Sequence, residues 1–423
     1  MQRIEAELLI PGAGEPVRDG VVIIDGAEIA YAGPTSGAPP TPGAAVRRTE
    51  TVLPGLWDCH GHFLGMRSLD LSQLPLQPVP LRAARCARDL ASALDAGVTS
   101  VREVGGLGVY LARVVNEGVL DGPNIFAAGS ILSTTGGHAD LHSYPASWVT
   151  DFGHAHGELR IADGPAECAR AVREQLRRNA RVIKVCASGG VLSEIDDPIH
   201  QQFTGPELRA IVEVAGLAER VVAAHCHGKP GIMAAIEAGV RTIEHGSYLD
   251  DEACDAMRES GIILVPTRTI IEDMLANLDA VPGYAVAKLT AIADTHAAAI
   301  ARAIERGVTI AAGTDIALTG PDRPNAWGSN GSELTHLVKL GMTSLAAIEA
   351  ATATAPRTLG PQAPASGRLE AGYLADVITV GGDPLADISV LANPERVTGV
   401  WTRGRLVKGG QLHPLVEPQP SQT

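Results

Sequence analysis

Between residues 56 and 355, short apolar runs alternate repeatedly with amphipathic stretches. This alternation constrains the fold most, because strands separated by helices pair in parallel as βα units. Strands are predicted at 56–62, 97–102, 124–128, 182–185, 221–225, 242–245, 262–265 and 309–315, and helices at 81–96, 165–179, 207–218, 231–238, 251–259, 286–306 and 345–355. Eight such units over roughly 300 residues fit a (β/α)8 TIM barrel with loop insertions. The doubly wound α/β alternative needs a glycine-rich phosphate turn after its first strand, and His60-Gly61-His62 stands there instead.

The flanks read differently. Residues 1–55 are short strands with tight turns, such as Asp25-Gly26 after the run Val21-Val-Ile-Ile24. From about Gly367 the β pattern returns, with strands at 377–380, 397–401 and 405–407. The expected organisation is α/β: a (β/α)8 TIM barrel over 56–360, with a small β-sandwich domain built from both chain termini, 1–55 and 361–413. Residues 414–423 read as a disordered tail.

Composition excludes some functions. The formal charge is −14, from 34 basic and 48 acidic residues, which argues against nucleic acid as a partner. No apolar run is long enough to span a bilayer, and the opening residues carry no signal-peptide pattern. The six cysteines are scattered with no C-x-x-C pair, which fits reduced thiols in a cytoplasmic protein and argues against a cysteine-ligated zinc site.

In a barrel, functional residues come from the C-terminal ends of strands. Here those ends carry His60 and His62, Lys184, His225, His245 and Asp315. His60 and His62 lie two apart on one strand and so face the same way. One pocket could collect all six as metal ligands. Lys184 lies between Ile183 and Val185 on a buried strand, where an ammonium is costly and cannot ligate a cation. A neutral lysine there is either a nucleophile or base, or it captures carbon dioxide and becomes an anionic carbamate ligand. With four histidines and an aspartate converging, the carbamate is the better chemistry.

The stretch Leu53-Pro-Gly-Leu-Trp-Asp-Cys-His-Gly-His62, together with Thr242-Ile-Glu-His-Gly246, Gly313-Thr-Asp315 and Gly367-Arg-Leu-Glu-Ala-Gly-Tyr-Leu-Ala-Asp376, resembles the motifs of the amidohydrolase superfamily over nearly the whole chain. The branch it resembles holds imidazolonepropionase-like proteins and Xaa-Pro dipeptidases. Gly136-Gly-His138, Ala187-Ser-Gly-Gly-Val191 and Ala224-His-Cys-His-Gly228 are similar to its peptidase members. The resemblance implies two divalent metal ions, with zinc as the default. His60, His62 and Asp315 would hold one, His225 and His245 the other, and carboxylated Lys184 would bridge them. It also implies attack by a metal-bridging hydroxide, with Asp315 as the catalytic proton shuttle.

His138, His227 and Arg268 are the expected substrate contacts. The implied activity is hydrolysis of an amide C–N bond in a small-molecule substrate, a dipeptide or N-acyl amino acid. The alternative is a cyclic amide, a lactone, or a xenobiotic amide or carbamate. A homo-oligomer is compatible with the resemblance.

Overall fold

A computed structural model describes residues 1–156, 158–410 and 413–414. The chain opens with strands β1 (Gln2–Leu9), β2 (Val17–Asp25), β3 (Glu28–Pro34) and β4 (Ala45–Pro54). Ile4, Ala6 and Leu8 of β1 are buried, following the two-residue period of a strand. The β2–β3 hairpin turns at Gly26, whose φ of 60° favours glycine.

The middle of the chain supplies β5 (Leu56–Met66), β6 (Val98–Glu103), β7 (Asn124–Ala127), β8 (Ile131–Ser133), β9 (Leu159–Ile161), β10 (Ile183–Cys186), β11 (Val222–Cys226), β12 (Thr242–His245), β13 (Ile263–Val265) and β14 (Ile316–Leu318). They form two parallel sheets, in the orders β14-β5-β6-β7 and β13-β12-β11-β10-β8-β9. Backbone hydrogen bonds link the sheets. On one side Ala311 N donates to Leu264 O (3.0 Å) and Cys59 N to Ala312 O (2.9 Å); on the other, Arg181 N donates to Ala127 O (2.8 Å).

Helices Val79–Asp95, Pro165–Arg177, Gly205–Gly216, Lys229–Ala238, Asp251–Ser260, Gly283–Glu305 and Ser344–Ala350 lie close to the expected ones. Their ends carry the usual signals. Asp250 accepts a bond from Ala253 N (3.0 Å), and Gly261 closes the same helix at a φ of 65°. Helices Gly108–Asn116, Ala146–His156, Arg268–Ala276 and Ser332–Lys339 and strands β8 and β9 are additional to the sequence reading.

The segment expected as an eighth strand at 309–315 is irregular. It lies between β13 and β5 with a bridge at Ile310, but regular strand begins only at Ile316. Gly313 packs so closely that a Cβ there would meet Val265 Cγ1 at 2.5 Å and His60 Cβ at 2.9 Å.

The chain ends in β15 (Val377–Val380), β16 (Val397–Thr402), β17 (Arg405–Lys408) and β18 (His413–Pro414). One edge of β4 pairs in parallel with β1, and its other edge pairs antiparallel with β15 and β18. All the terminal strands therefore share one hydrogen-bonded eight-stranded sheet, whose two halves still meet: Trp401 Nε1 of β16 donates to Gln2 Oε1 of β1 at 2.8 Å. β4 joins the N-terminal set to the C-terminal set. The predicted tail lies outside the described residues, except that Pro414 pairs with Ala45. All six cysteines are free and buried. Among the described residues no helix is long and apolar enough to cross a membrane.

Candidate metal centre

Parallel pairing sets β10, β11 and β12 side by side, with Cys186 opposite His225 and Cys226 opposite His245. Lys184, His225 and His245 are thereby gathered at one end of the sheet. His60 and His62 arrive on β5 with His60 4.9 Å from His245, ring centroid to ring centroid. The residue between them must be small, because a Cβ at Gly61 would meet Trp327 Cη2 at 2.7 Å and Trp327 is itself stacked on Phe63.

The donors fall into two groups, His60 with His62 and Asp315, and His225 with His227 and His245. Within each group the ligand atoms lie within 4.8 Å of one another. Lys184 is 2% exposed, with Nζ 3.3 Å from His60 Nε2.

Every imidazole in these groups has one nitrogen engaged by a group outside the donor set. His60 Nδ1 meets Glu244 Oε2 at 2.7 Å, and His62 Nδ1 meets the Gly105 carbonyl at 2.7 Å. Both partners are pure acceptors, so each Nδ1 carries a proton, which leaves Nε2 as the nitrogen able to turn a lone pair to a cation. His225 does the reverse, giving Nε2 to the Gly189 carbonyl at 3.1 Å. His227 and His245 face hydroxyls, Ser247 and Thr267 respectively, each at 2.7 Å.

Burial, followed by the charge of Lys184, pushes His60 down to about 4, and burial also pushes His225, His227 and His245 well below the usual imidazole range. Burial also lowers Lys184. Burial opposes charge on His62 too, but Asp315 outweighs it and raises that imidazole. Four imidazoles disfavoured from charging by burial, with a fifth paired to a carboxylate, are the chemistry of a divalent-cation site, and the donor set fits one.

Two buried carboxylates support the donors. Glu244 accepts from Arg102 Nη2 (2.8 and 2.7 Å), from Thr242 Oγ1 and from His60. Burial would raise Glu244, but Arg102 and His60 hold it well below the carboxylate range. Asp58 accepts from His60 N (3.0 Å), Thr314 N (3.1 Å) and Asn330 Nδ2 (2.7 Å), which ties the histidine strand to the residue before Asp315. His245, Thr267 and Asp315 all hold left-handed backbone, at φ of 68°, 56° and 62°. Non-glycine residues pay for that conformation, and it concentrates where surroundings enforce a functional geometry.

The donors floor an apolar chamber lined by residues including Leu64, Leu74, Leu141, Val191, Ile271 and Met274. His138 reaches it, stacked on His225 at 4.3 Å with Nδ1 2.8 Å from Ser193 Oγ. Arg268, the expected carboxylate contact, does not. Its guanidinium bonds Glu272 Oε1 (2.9 Å) and the Ala293 carbonyl (2.7 Å), because the residue opens the Arg268–Ala276 helix and turns toward Gly283–Glu305. His227, expected as a substrate contact, lines the chamber and also lies among the donors. Its sequence signal is the His225-Cys226-His227 alternation, which repeats the His60-Gly61-His62 pattern. Asp58 and Glu244 were not singled out from the sequence, though a lone carboxylate inside a strand otherwise reading as buried marks each.

A profile of the amidohydrolase family matches residues 51–407. The ochratoxinase of Aspergillus niger is 45% identical over 431 residues, covering 98% of this chain and 88% of that protein. Its crystal structure superposes with a TM-score of 0.92 at 43% identity, over 97% of this chain and 96% of the other. A Xaa-Pro dipeptidase crystallised with methionine in its active site superposes with a TM-score of 0.84 at 33% identity, over 96% and 100% of the two chains.

Proposed function

Because the chain belongs to the amidohydrolase family and is an enzyme that hydrolyses amide bonds, we propose that it cleaves N-acyl amino acids or dipeptides with bulky apolar groups at a two-metal centre. The observation that carries this is two donor groups joined where His60 and His245 lie 4.9 Å apart, with a buried lysine beside His60 and an apolar chamber above. His60, His62 and Asp315 would hold one ion, and His225 and His245 the other. Lys184 Nζ would add to carbon dioxide, lose a proton and bridge the two as a carbamate. Zinc suits these nitrogen and oxygen donors. Bound metals acidify water and polarise a carbonyl.

The chain's own residues do the rest. Asp315 accepts the proton of the attacking water and returns it to the leaving nitrogen. His138 and His227 orient the acyl carbonyl or the carboxylate. The apolar wall excludes bulk water and strengthens each of these contacts.

A second reading keeps the site and changes the substrate to a cyclic amide, a lactone, or a xenobiotic amide or carbamate. It is favoured by the chamber lining, which among the described residues includes no arginine to pair with a carboxylate. In both readings the two parallel sheets, bonded at their margins, are the wall of one (β/α)8 barrel over 56–360, and the terminal sheet is a separate small domain. Six buried free thiols support a reducing, cytoplasmic setting.

The test is metal content per chain and hydrolysis of N-acyl amino acids, for wild type and Lys184→Ala expressed with zinc and bicarbonate. About two ions, falling together with activity in the variant, is the expected result. An active wild type whose metal content does not respond to the lysine change would overturn the bridged centre. Equal turnover of neutral amides and N-acyl amino acids would favour the second reading.

A further inference from the structure

A buried carboxylate that lines the apolar chamber carries one oxygen that no described protein group serves. Glu158 is 1% exposed and lines the chamber, and its Oε2 has no hydrogen-bond partner among the described residues. Its other oxygen, Oε1, accepts from Arg82 Nη2 at 2.6 Å. Arg82 is fully buried and fixed in turn, with Nε donating to the Gln77 carbonyl (3.3 Å) and Nη1 to the Leu64 carbonyl (3.2 Å). The carboxylate therefore cannot rotate to satisfy its second oxygen. A buried acceptor left unpaired is costly, and a protein retains one where a ligand supplies the missing donor.

Building on the hydrolase function proposed above, we infer that Glu158 selects substrates carrying a neutral O–H or N–H donor on the apolar part, away from the scissile bond. The donor is neutral because Arg82 already balances the carboxylate; a cationic group would add an uncompensated charge inside the chamber. Its distance from the reacting bond follows from the sheet. Leu159, next to Glu158, pairs with Ile131, which pairs with Lys184. Two strand spacings put Glu158 roughly 10 Å from the lysine, backbone to backbone, about the length of a fused two-ring group. Asn325 also presents an unpaired oxygen to the chamber, but beside Asp315, to whose carbonyl its amide nitrogen bonds at 2.9 Å. It belongs to the reacting end.

The probes are a positional series of hydroxynaphthoic acids and their methyl ethers, with binding to the purified full chain measured by calorimetry. Binding needs no turnover, so a failure here is distinct from a failure of amide hydrolysis, which is assayed separately on the N-naphthoyl amino acids. At least one hydroxy acid should bind wild type about tenfold more tightly than its ether, as a hydrogen bond to a charged acceptor warrants.

In Glu158→Gln the remaining carbonyl oxygen stays with Arg82 and the amide group turns to the chamber, so the preference should vanish or reverse. The double change Arg82→Met with Glu158→Leu, which removes both charges at once, should abolish it as well. Retention of the hydroxyl preference in either variant, or no preference above about twofold anywhere in the series, would overturn the inference.

Discussion

Replacing Glu244 by glutamine separates two consequences of a single carboxylate. Its oxygens serve the Arg102 guanidinium, the Thr242 hydroxyl and His60 Nδ1, all donors or able to donate, and both Glu244 and Arg102 are fully buried. A glutamine keeps one acceptor and turns an NH2 group toward either Arg102 or His60. Arg102 retains the Cys59 carbonyl at 2.6 Å and Thr242 at 2.9 Å but loses its counter-charge. Removing one member of a buried ion pair costs about 3–5 kcal/mol, and that is the expected loss in urea denaturation of metal-free protein.

If the amide faces His60, the imidazole must accept at Nδ1. Its proton then moves to Nε2 and the inward lone pair is lost. Metal affinity, read by competition with a chromogenic chelator, should fall about 10–100-fold. Arg102→Met combined with Glu244→Gln should recover most of the stability, since no unpaired charge remains, without restoring the affinity. Unchanged metal affinity in both Glu244→Gln and Glu244→Leu, the second of which offers His60 no acceptor, would refute the orienting role. Unchanged stability would refute the account of the ion pair.

Asp89 gives a pH test away from the candidate metal donors. Burial pushes its carboxyl up to about 7. The folded state therefore holds that proton from the ordinary carboxylate range up to neutrality, so its contribution is greatest in acid and is lost as pH rises through 7. Asp89→Asn, which keeps an acceptor for Thr319 Oγ1, should gain in urea midpoint relative to wild type between pH 5 and pH 8; a constant difference would contradict this. His227→Asn should retain wild-type metal content while impairing turnover if the imidazole serves substrate, and elemental analysis showing the loss of one ion would make it a ligand. Gly61→Ala should cost about 1–3 kcal/mol by driving a methyl into Trp327, and a thermal melt matching wild type would show that the ring can move aside.

The residues the structure gathers were largely visible in the sequence, because strand ends in an alternating chain share one rim. His60, His62, Lys184, His225, His245 and Asp315 could each be placed there by counting along a strand. What escaped depends on contacts distant in the chain. β8 and β9 are three residues each, too short to show a period, yet they bring Glu158 to the chamber wall. Asp315 sits beyond an irregular segment whose course is set by Gly313 against His60 and by Asp58 holding Thr314. Arg268 looked free at a strand end because its partners, Glu272 and Ala293, lie on helices whose packing no local pattern announces.

The sharing of β4 between the two ends of the chain also governs how the protein is made. Val52 and Leu53 pair with Ile378 and Thr379, which leave the ribosome roughly 320 residues after β4 does. At about 5–20 residues per second that is a wait of roughly 15–65 s with an apolar strand edge open. During this interval the nascent N-terminus can pair with another chain as readily as with its own. A lower expression level, which leaves fewer open edges to meet, or a holding chaperone should therefore raise the soluble yield more than any change among the candidate donors.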